Sequence, residues 1–265
     1  MPLSTDSALR LCVLASGSKG NAIYVSDGRT ALLVDAGLSG IEIERRMAAV
    51  GLQPSALTAI VVSHEHSDHV RGVGVLSRRY QLPVYMSAAT AQACGSKLGR
   101  LHAMHPFVIG KRFTIDDLVL HPFATSHDAE DPAGFTIAQN GRKIGIATDL
   151  GIATGMIKEH LKSCELLVLE ANHDPVMLID GPYPWPLKQR IQSRSGHLSN
   201  QDSGDLLADI HHDGLRHVVL AHLSETNNTP QIALQTVKKA LADIDCRFQL
   251  HVAGQDCCSA VLVLR

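Results

Sequence analysis

Aromatic residues are scarce in this chain, at 4%, and only one of them is tryptophan. Charge of one sign is absent too: 24 basic and 26 acidic residues give a formal net charge of -2. That balance excludes a global basic field, so any grip on a polyanion must come from local patches or from bound metal. No apolar run approaches the roughly 20 residues of a membrane span. The first ten residues lack a basic flank followed by a long apolar core, which predicts no secretory signal and a cytoplasmic protein. The six cysteines (Cys12, Cys94, Cys164, Cys246, Cys257 and Cys258) match neither a zinc knuckle nor a disulfide scaffold, so they are read as reduced and mostly buried. Low-complexity stretches, repeats and linkers are also missing.

What remains is 265 residues, 45% of them hydrophobic, with 15 histidines. Short apolar runs alternate with helical patterns along the whole length, which predicts an α/β protein in one continuous domain, residues 1–265. Strands are expected over 10–15, 22–25, 31–35, 57–62, 83–86, 112–115, 118–123, 134–139, 143–148, 165–170, 217–221, 248–252 and 260–264. Helices are expected over 41–50, 70–80, 87–94, 155–161, 186–194, 199–210 and 230–244. Gly51 stops the first of these, Thr154 and Thr229 are caps, and Ser199 with Asp202 comes close to a capping box.

The strand ends carry the chemistry. The segment Ser63-His64-Glu65-His66-Ser67-Asp68-His69 follows an apolar strand directly. Three further strands end at Asp35, Asp149 and His222, and His127 lies just beyond a fourth. Strands of common direction would bring these ends to one edge, where sites in α/β folds tend to lie. Imidazole and carboxylate suit zinc, manganese and iron alike. His64 and His66 point the same way from an extended segment, and His127 is a natural third ligand. Asp68 and His69 can face a second ion, which His222 would complete, with Asp149 as a bridge. Asp35 is read as orienting a ligand rather than binding metal. An isolated histidine near a strand is usually an ordinary hydrogen-bonded residue, which is the reading for His102, His105, His121, His160, His211, His212, His217 and His251.

His-x-His-x-Asp-His after an apolar strand resembles the metallo-β-lactamase superfamily, with Leu33-Val34-Asp35-Ala36-Gly37, His127, Thr148-Asp149 and His222 following in order. Further segments resemble its YycJ/WalJ-type subfamily from end to end. They include Ser16-Gly17-Ser18-Lys19-Gly20-Asn21, 127–135, 170–174, Gly181-Pro182-Tyr183-Pro184-Trp185, Gly196-His197-Leu198-Ser199-Asn200 and His222-Leu223-Ser224 with Asn227-Asn228.

The resemblance implies a four-layer αβ/βα sandwich with a dinuclear centre at one edge. It places one divalent ion on His64, His66 and His127 and the other on Asp68, His69 and His222, bridged by Asp149. It also implies phosphodiester hydrolysis, including 5′-end exonuclease action on DNA. Glu170 and His197 resemble a pair in related tRNA 3′-processing enzymes, where the histidine faces the scissile phosphate and the carboxylate orients it. His197 is then a candidate acid toward the leaving oxygen. Two cations about 3.5–4 Å apart would activate water and stabilise both the attacking and the leaving oxygen. His173, Arg71, Lys188, Arg190 and Arg194 are candidates for substrate contact. Three other readings stand beside this one: hydrolysis of a small phosphodiester, acyl or thioester substrate, a di-iron redox protein, and a non-catalytic metal-binding module. His66 and the short chain argue against the second of these, and the intact ligand set argues against the third. The ligand types leave the metal open between zinc, manganese and iron, and the oligomeric state is not legible.

Overall fold

The computed structural model describes residues 8–265. Of the reading of the first ten residues as free of a secretory signal, the part on 1–7 lies outside them. The period-2 patterning of the strands decides the layers. In β1 (Leu9–Ala15), Leu9, Leu11 and Val13 face one apolar core while Cys12, Leu14 and Ala15 face another. Such a strand is buried on both faces, so its sheet must be covered on both.

The first sheet has the order β14-β1-β2-β3-β4-β5-β6. Its other members are β2 (Ala22–Ser26), β3 (Ala31–Val34), β4 (Ala59–Val61), β5 (Pro83–Ser87), β6 (Ala103–Phe107) and β14 (Leu262–Leu264). The second runs β13-β12-β11-β10-β9-β8-β7. It contains β7 (Phe113–Ile115), β8 (Leu118–Ala124), β9 (Ala133–Gln139), β10 (Arg142–Ala147), β11 (Leu166–Glu170), β12 (His217–Ala221) and β13 (Gln249–Val252). Each sheet is antiparallel on one side and parallel on the other. The two pack face to face over a shared core that includes Leu11, Val34, Val61, Phe135, Ile146 and Val219.

Helices close the outer faces. On the first sheet, α1 (Gly40–Ala49) buries Ile43 and Met47, one turn apart, and Ser39 caps it by accepting from the Glu42 N–H. The short α2 (Ser67–Val70) leads into α3 (Val73–Tyr80), and α4 (Ala88–Cys94) follows β5. The expected single helix over 70–80 is therefore split. Gly72 lies at the break, and a side chain there would come within 2.5 Å of the Leu38 carbonyl oxygen. On the second sheet lie α5 (Gly155–Leu161), α8 (Asn200–Ile210) and α9 (Pro230–Ala240). The Ser199–Asp202 capping box is complete in both directions. Two further helices, α6 (Pro175–Asp180) and α7 (Trp185–Ile191), rise between β11 and α8. The layers are thus helix, sheet, sheet, helix, the α/β sandwich expected. No helix among the described residues is long and apolar enough to cross a membrane.

Candidate metal centre

β3 and β4 are parallel in the first sheet, and β10, β11 and β12 are parallel in the second. β8 shares the direction of β10, because each is antiparallel to β9. The carboxyl ends of these strands meet at one edge. Asp35, Asp149 and His222 each follow their strand in a left-handed backbone conformation, with φ of 60°, 54° and 56°. That conformation is costly for most side chains and recurs at functional sites. It turns the chain sharply enough to aim each side chain along the edge.

Four imidazoles are fastened the same way. His64 Nδ1 lies 2.9 Å from Ser63 Oγ, and His69 Nδ1 lies 2.8 Å from Asp35 Oδ2. His127 Nδ1 is 3.2 Å from the Gly196 carbonyl oxygen, and His222 Nδ1 is 2.7 Å from Glu170 Oε1. With Nδ1 held, each Nε2 is left to face the cluster. His66 does the reverse and brings its Nδ1 to 3.1 Å from His64 Nε2.

The ligand atoms of His64, His66 and His127 lie within 4.8 Å of one another, and so do those of Asp68, His69 and His222. Asp149 stands between the sets, with Oδ2 3.3 Å from His69 Nε2 and Oδ1 3.7 Å from His127 Nε2. Asp149 Oδ2 and His222 Nε2 are buried without a hydrogen-bond partner. Buried polar atoms normally have partners, and a histidine fixed at one nitrogen to present the other is how proteins build metal ligands. Imidazole with carboxylate, aimed inward in two sets, fits divalent cations.

The electrostatics are those of a site arranged around positive charge. Burial, then the neighbouring His69, pushes His64 well below its ordinary value, so its Nε2 lone pair is available. Burial also disfavours charge on His69 and His222, yet the surrounding carboxylates outweigh it. They raise His69 well above its usual value and His222 to about 9. Burial pushes Asp149 up, but His222 and His69 pull it well down. Glu170, fully buried, would also rise by burial, but His197 and His222 hold it at about 2. Protons on buried imidazoles here occupy the place of a cation's charge.

Asp35 accepts from the Ser63 N–H, the Ser63 hydroxyl and His69 Nδ1, each at 2.8 Å. Glu170 does more than orient His197. Its Oε1 receives both His197 Nδ1 (2.8 Å) and His222 Nδ1 (2.7 Å), and its Oε2 receives the N–H groups of Leu150 and Leu198. His197 lines a cleft of about 290 Å³ together with His66, Asp68, His127, Asp149 and His222.

The substrate candidates are dispersed. Arg190 lines the cleft and holds Asp128 Oδ2 through Nε (2.6 Å) and Nη2 (2.5 Å). Lys188 is buried and donates to the Ile179 carbonyl at 2.6 Å, so it ties α7 to α6 and does not reach the cleft. Arg194 lines a separate hollow with Asp205 and Asp209, and Arg71 is exposed outside the cleft lining. His173 is buried behind the cleft rather than lining it, and burial lowers its pKa. A larger cavity of about 700 Å³ opens beside α5, but the grouped ligand-type residues lie elsewhere, so chemistry and not size locates the site.

Asn21, Asp128, Tyr183 and Leu187 also belong to the site, and no strand end or ligand spacing marks them in the sequence. Asn21 Nδ2 lies 3.1 Å from His69 Nε2 and 3.4 Å from Asp68 Oδ2. Its signal is the loop with Gly17 and Gly20, both at positive φ. Gly37 has an equally specific task. A β-carbon there would sit 1.6 Å from the Asp68 carbonyl oxygen, a backbone atom that cannot swing aside. Gly37→Ala is therefore expected to cost about 1–3 kcal/mol or more by overpacking and to displace Asp68. Thermal denaturation and metal analysis would show it, and a variant with wild-type Tm and metal content would contradict the placement.

The chain belongs to the metallo-β-lactamase superfamily, residues 30–223 matching the family described as the beta-lactamase superfamily domain. Within it the chain is of the YycJ/WalJ type. It is 40% identical over 249 residues to exodeoxyribonuclease YycJ of Bacillus anthracis, covering 92% of this chain and 94% of the relative. It is 36% identical over 245 residues to exodeoxyribonuclease WalJ of Streptococcus pneumoniae, covering 91% of each. The metallo-beta-lactamase fold protein YhfI from Bacillus subtilis shares the fold with a TM-score of 0.76 at 17% identity, covering 97% of this chain and 99% of that one.

Proposed function

We propose that this protein is a metal-dependent nucleic-acid hydrolase that removes nucleotides from a DNA end. The observation that carries the proposal is the pair of inward-aimed ligand sets around Asp149, in a chain whose 36–40% identical relatives are named exodeoxyribonucleases. His64, His66 and His127 would hold one divalent ion and Asp68, His69 and His222 another, with Asp149 placed between the two groups. When bound, the ions lower the pKa of water and offset charge on the phosphate oxygens.

The chain's own groups do the rest. Asp35 and Glu170 fix the rings of His69, His222 and His197. Glu170 Oε1 accepts a hydrogen bond from His197 Nδ1, which leaves Nε2 for the cleft, where it can pass a proton to the leaving oxygen. Arg190, stationed at the cleft by Asp128, is the one basic candidate placed to meet a phosphate. End-labelled DNA and RNA, digested in parallel with zinc, manganese or iron, test the reading. Stepwise shortening of DNA is the expected result, and no cleavage of any phosphodiester by metal-loaded protein would refute it.

Metal loading should also be linked to pH. His222 must lose its Nε2 proton to bind, and in metal-free protein that proton leaves only near pH 9. Calorimetry near neutral pH in buffers of different ionisation enthalpy should therefore show proton release on binding, and apparent affinity should climb as pH rises toward 9. Metal-free stability runs the opposite way. A raised histidine pKa stabilises fully below the unfolded value of about 6.5, and the benefit fades as pH rises through 9. Binding without proton release at neutral pH would contradict this assignment.

A further inference from the structure

Ten aromatic side chains serve 265 residues. Eight belong to or pack against the three apolar cores. The two left over are Tyr183 and Trp185, two residues apart where the chain enters α7, whose Leu187, Arg190 and Ile191 line the cleft. Tyr183 lines the cleft with the metal-ligand candidates, and Trp185, at the start of α7, is 57% exposed. At that exposure the ring contributes little to any core and is open to a partner.

The backbone that carries them is stiff. Prolines alternate with the rings in Pro182-Tyr183-Pro184-Trp185-Pro186. Each proline fixes its own φ, Pro184 pushes Tyr183 toward extended geometry, and Pro186 sits in the first turn of α7 beside Trp185. Lys188 secures the platform by binding the Ile179 carbonyl, and Asp174 caps α6 through the Val176 and Met177 N–H groups. Two rings are thus carried on a backbone with little conformational entropy left to lose.

Resting on the function proposed above, we infer that Tyr183 and Trp185 form a stacking track for unpaired bases, with Tyr183 inside the cleft and Trp185 at its rim. Every base offers a π-face, so such a track grips a strand without reading sequence. It also answers the problem set by composition. With a net charge of -2, phosphate attraction alone is a weak source of affinity. Bases in a duplex are already stacked on one another, so the track selects single-stranded ends or ends that fray.

Because Trp185 is the only tryptophan, its fluorescence reports this position alone. Metal-loaded protein would be titrated with a phosphorothioate oligothymidine, a blunt duplex and an abasic oligonucleotide, with anisotropy of an end label recording binding independently. The single strand should quench Trp185 and bind more tightly than the other two. Tyr183→Ala and Trp185→Ala should each raise Kd and KM by roughly 5- to 100-fold with little change in kcat, while Trp185→Phe stays near wild type. Metal content should be unchanged throughout. If anisotropy shows binding while Trp185 emission and the Kd of both alanine variants stay put, the track is refuted and the hydrolase reading survives. If no oligonucleotide binds at all, the hydrolase reading falls and takes the track with it. If Trp185→Ala instead dissociates a dimer with Kd unchanged, the exposed patch is a contact between two copies and the proposal is wrong.

Discussion

Asp149→Asn should strip the protein of its full metal complement and reduce DNA cleavage by about 1,000-fold or more. The substitution is chosen because asparagine tolerates the left-handed φ of 54° and nearly matches aspartate in size, so the fold should survive. What is lost is charge at one point. Asp149 is buried, and its two oxygens reach His69 on one side and His127 and His222 on the other. Among the described residues, no other carboxylate stands between both sets. Asp68 lies 3.5 Å from His69 and 4.0 Å from His222 and belongs to one set only. Elemental analysis should fall from two ions per chain to one or none, while circular dichroism stays unchanged. A variant that retained two ions and a tenth of the activity would remove Asp149 from its shared position.

Glu170→Ala should be the most damaging single change to stability and to turnover together. Four donors converge on this fully buried carboxylate: two imidazoles on Oε1 and two backbone N–H groups on Oε2. Removing one partner of a buried charged network costs about 3–5 kcal/mol, because the remaining groups stay buried and unpaired. For a chain of this size, that corresponds to a fall in Tm of roughly 10 °C. Activity should drop by at least about 100-fold, because the rings of His222 and His197 lose their common anchor. Glu170→Gln should rescue little. Its oxygen can still accept from the imidazoles, but its amide would then face the Leu150 and Leu198 N–H groups, donor against donor. A Gln variant with wild-type Tm and rate would show that the carboxylate is not the anchor described.

Much of the fold and the metal centre is legible in the sequence, for physical reasons. Strands buried on both faces read as apolar runs, and each ends abruptly where a polar residue must leave the core. That contrast marks Asp35, Asp149 and His222. The His64–His69 segment is legible because an ordinary polar turn has no need of four ligand-type side chains in six positions. The illegible parts lack such contrast. β6, Ala-Met-His-Pro-Phe, is an edge strand with three of its five residues exposed, so no apolar run marks it. α6 is short, and only Asp174 before Pro175 announces it. Lys188 and Arg194 carry the right charge for a phosphate, but direction is set by how α7 and the turn after it pack, and no local pattern encodes that. Asn21 acts across 48 residues of sequence, and such a contact cannot be read from spacing.

The division of the site between two sheets has one more consequence. His64, His66, Asp68 and His69 come from the first sheet, while His127, Asp149 and His222 come from the second. Neither half carries a complete set, and the shared core between the sheets holds the two halves together. On the proposed function, hydrolysis therefore requires the two sheets to be docked. A chain whose sheets have parted keeps its histidines and carboxylates but holds them as two incomplete groups.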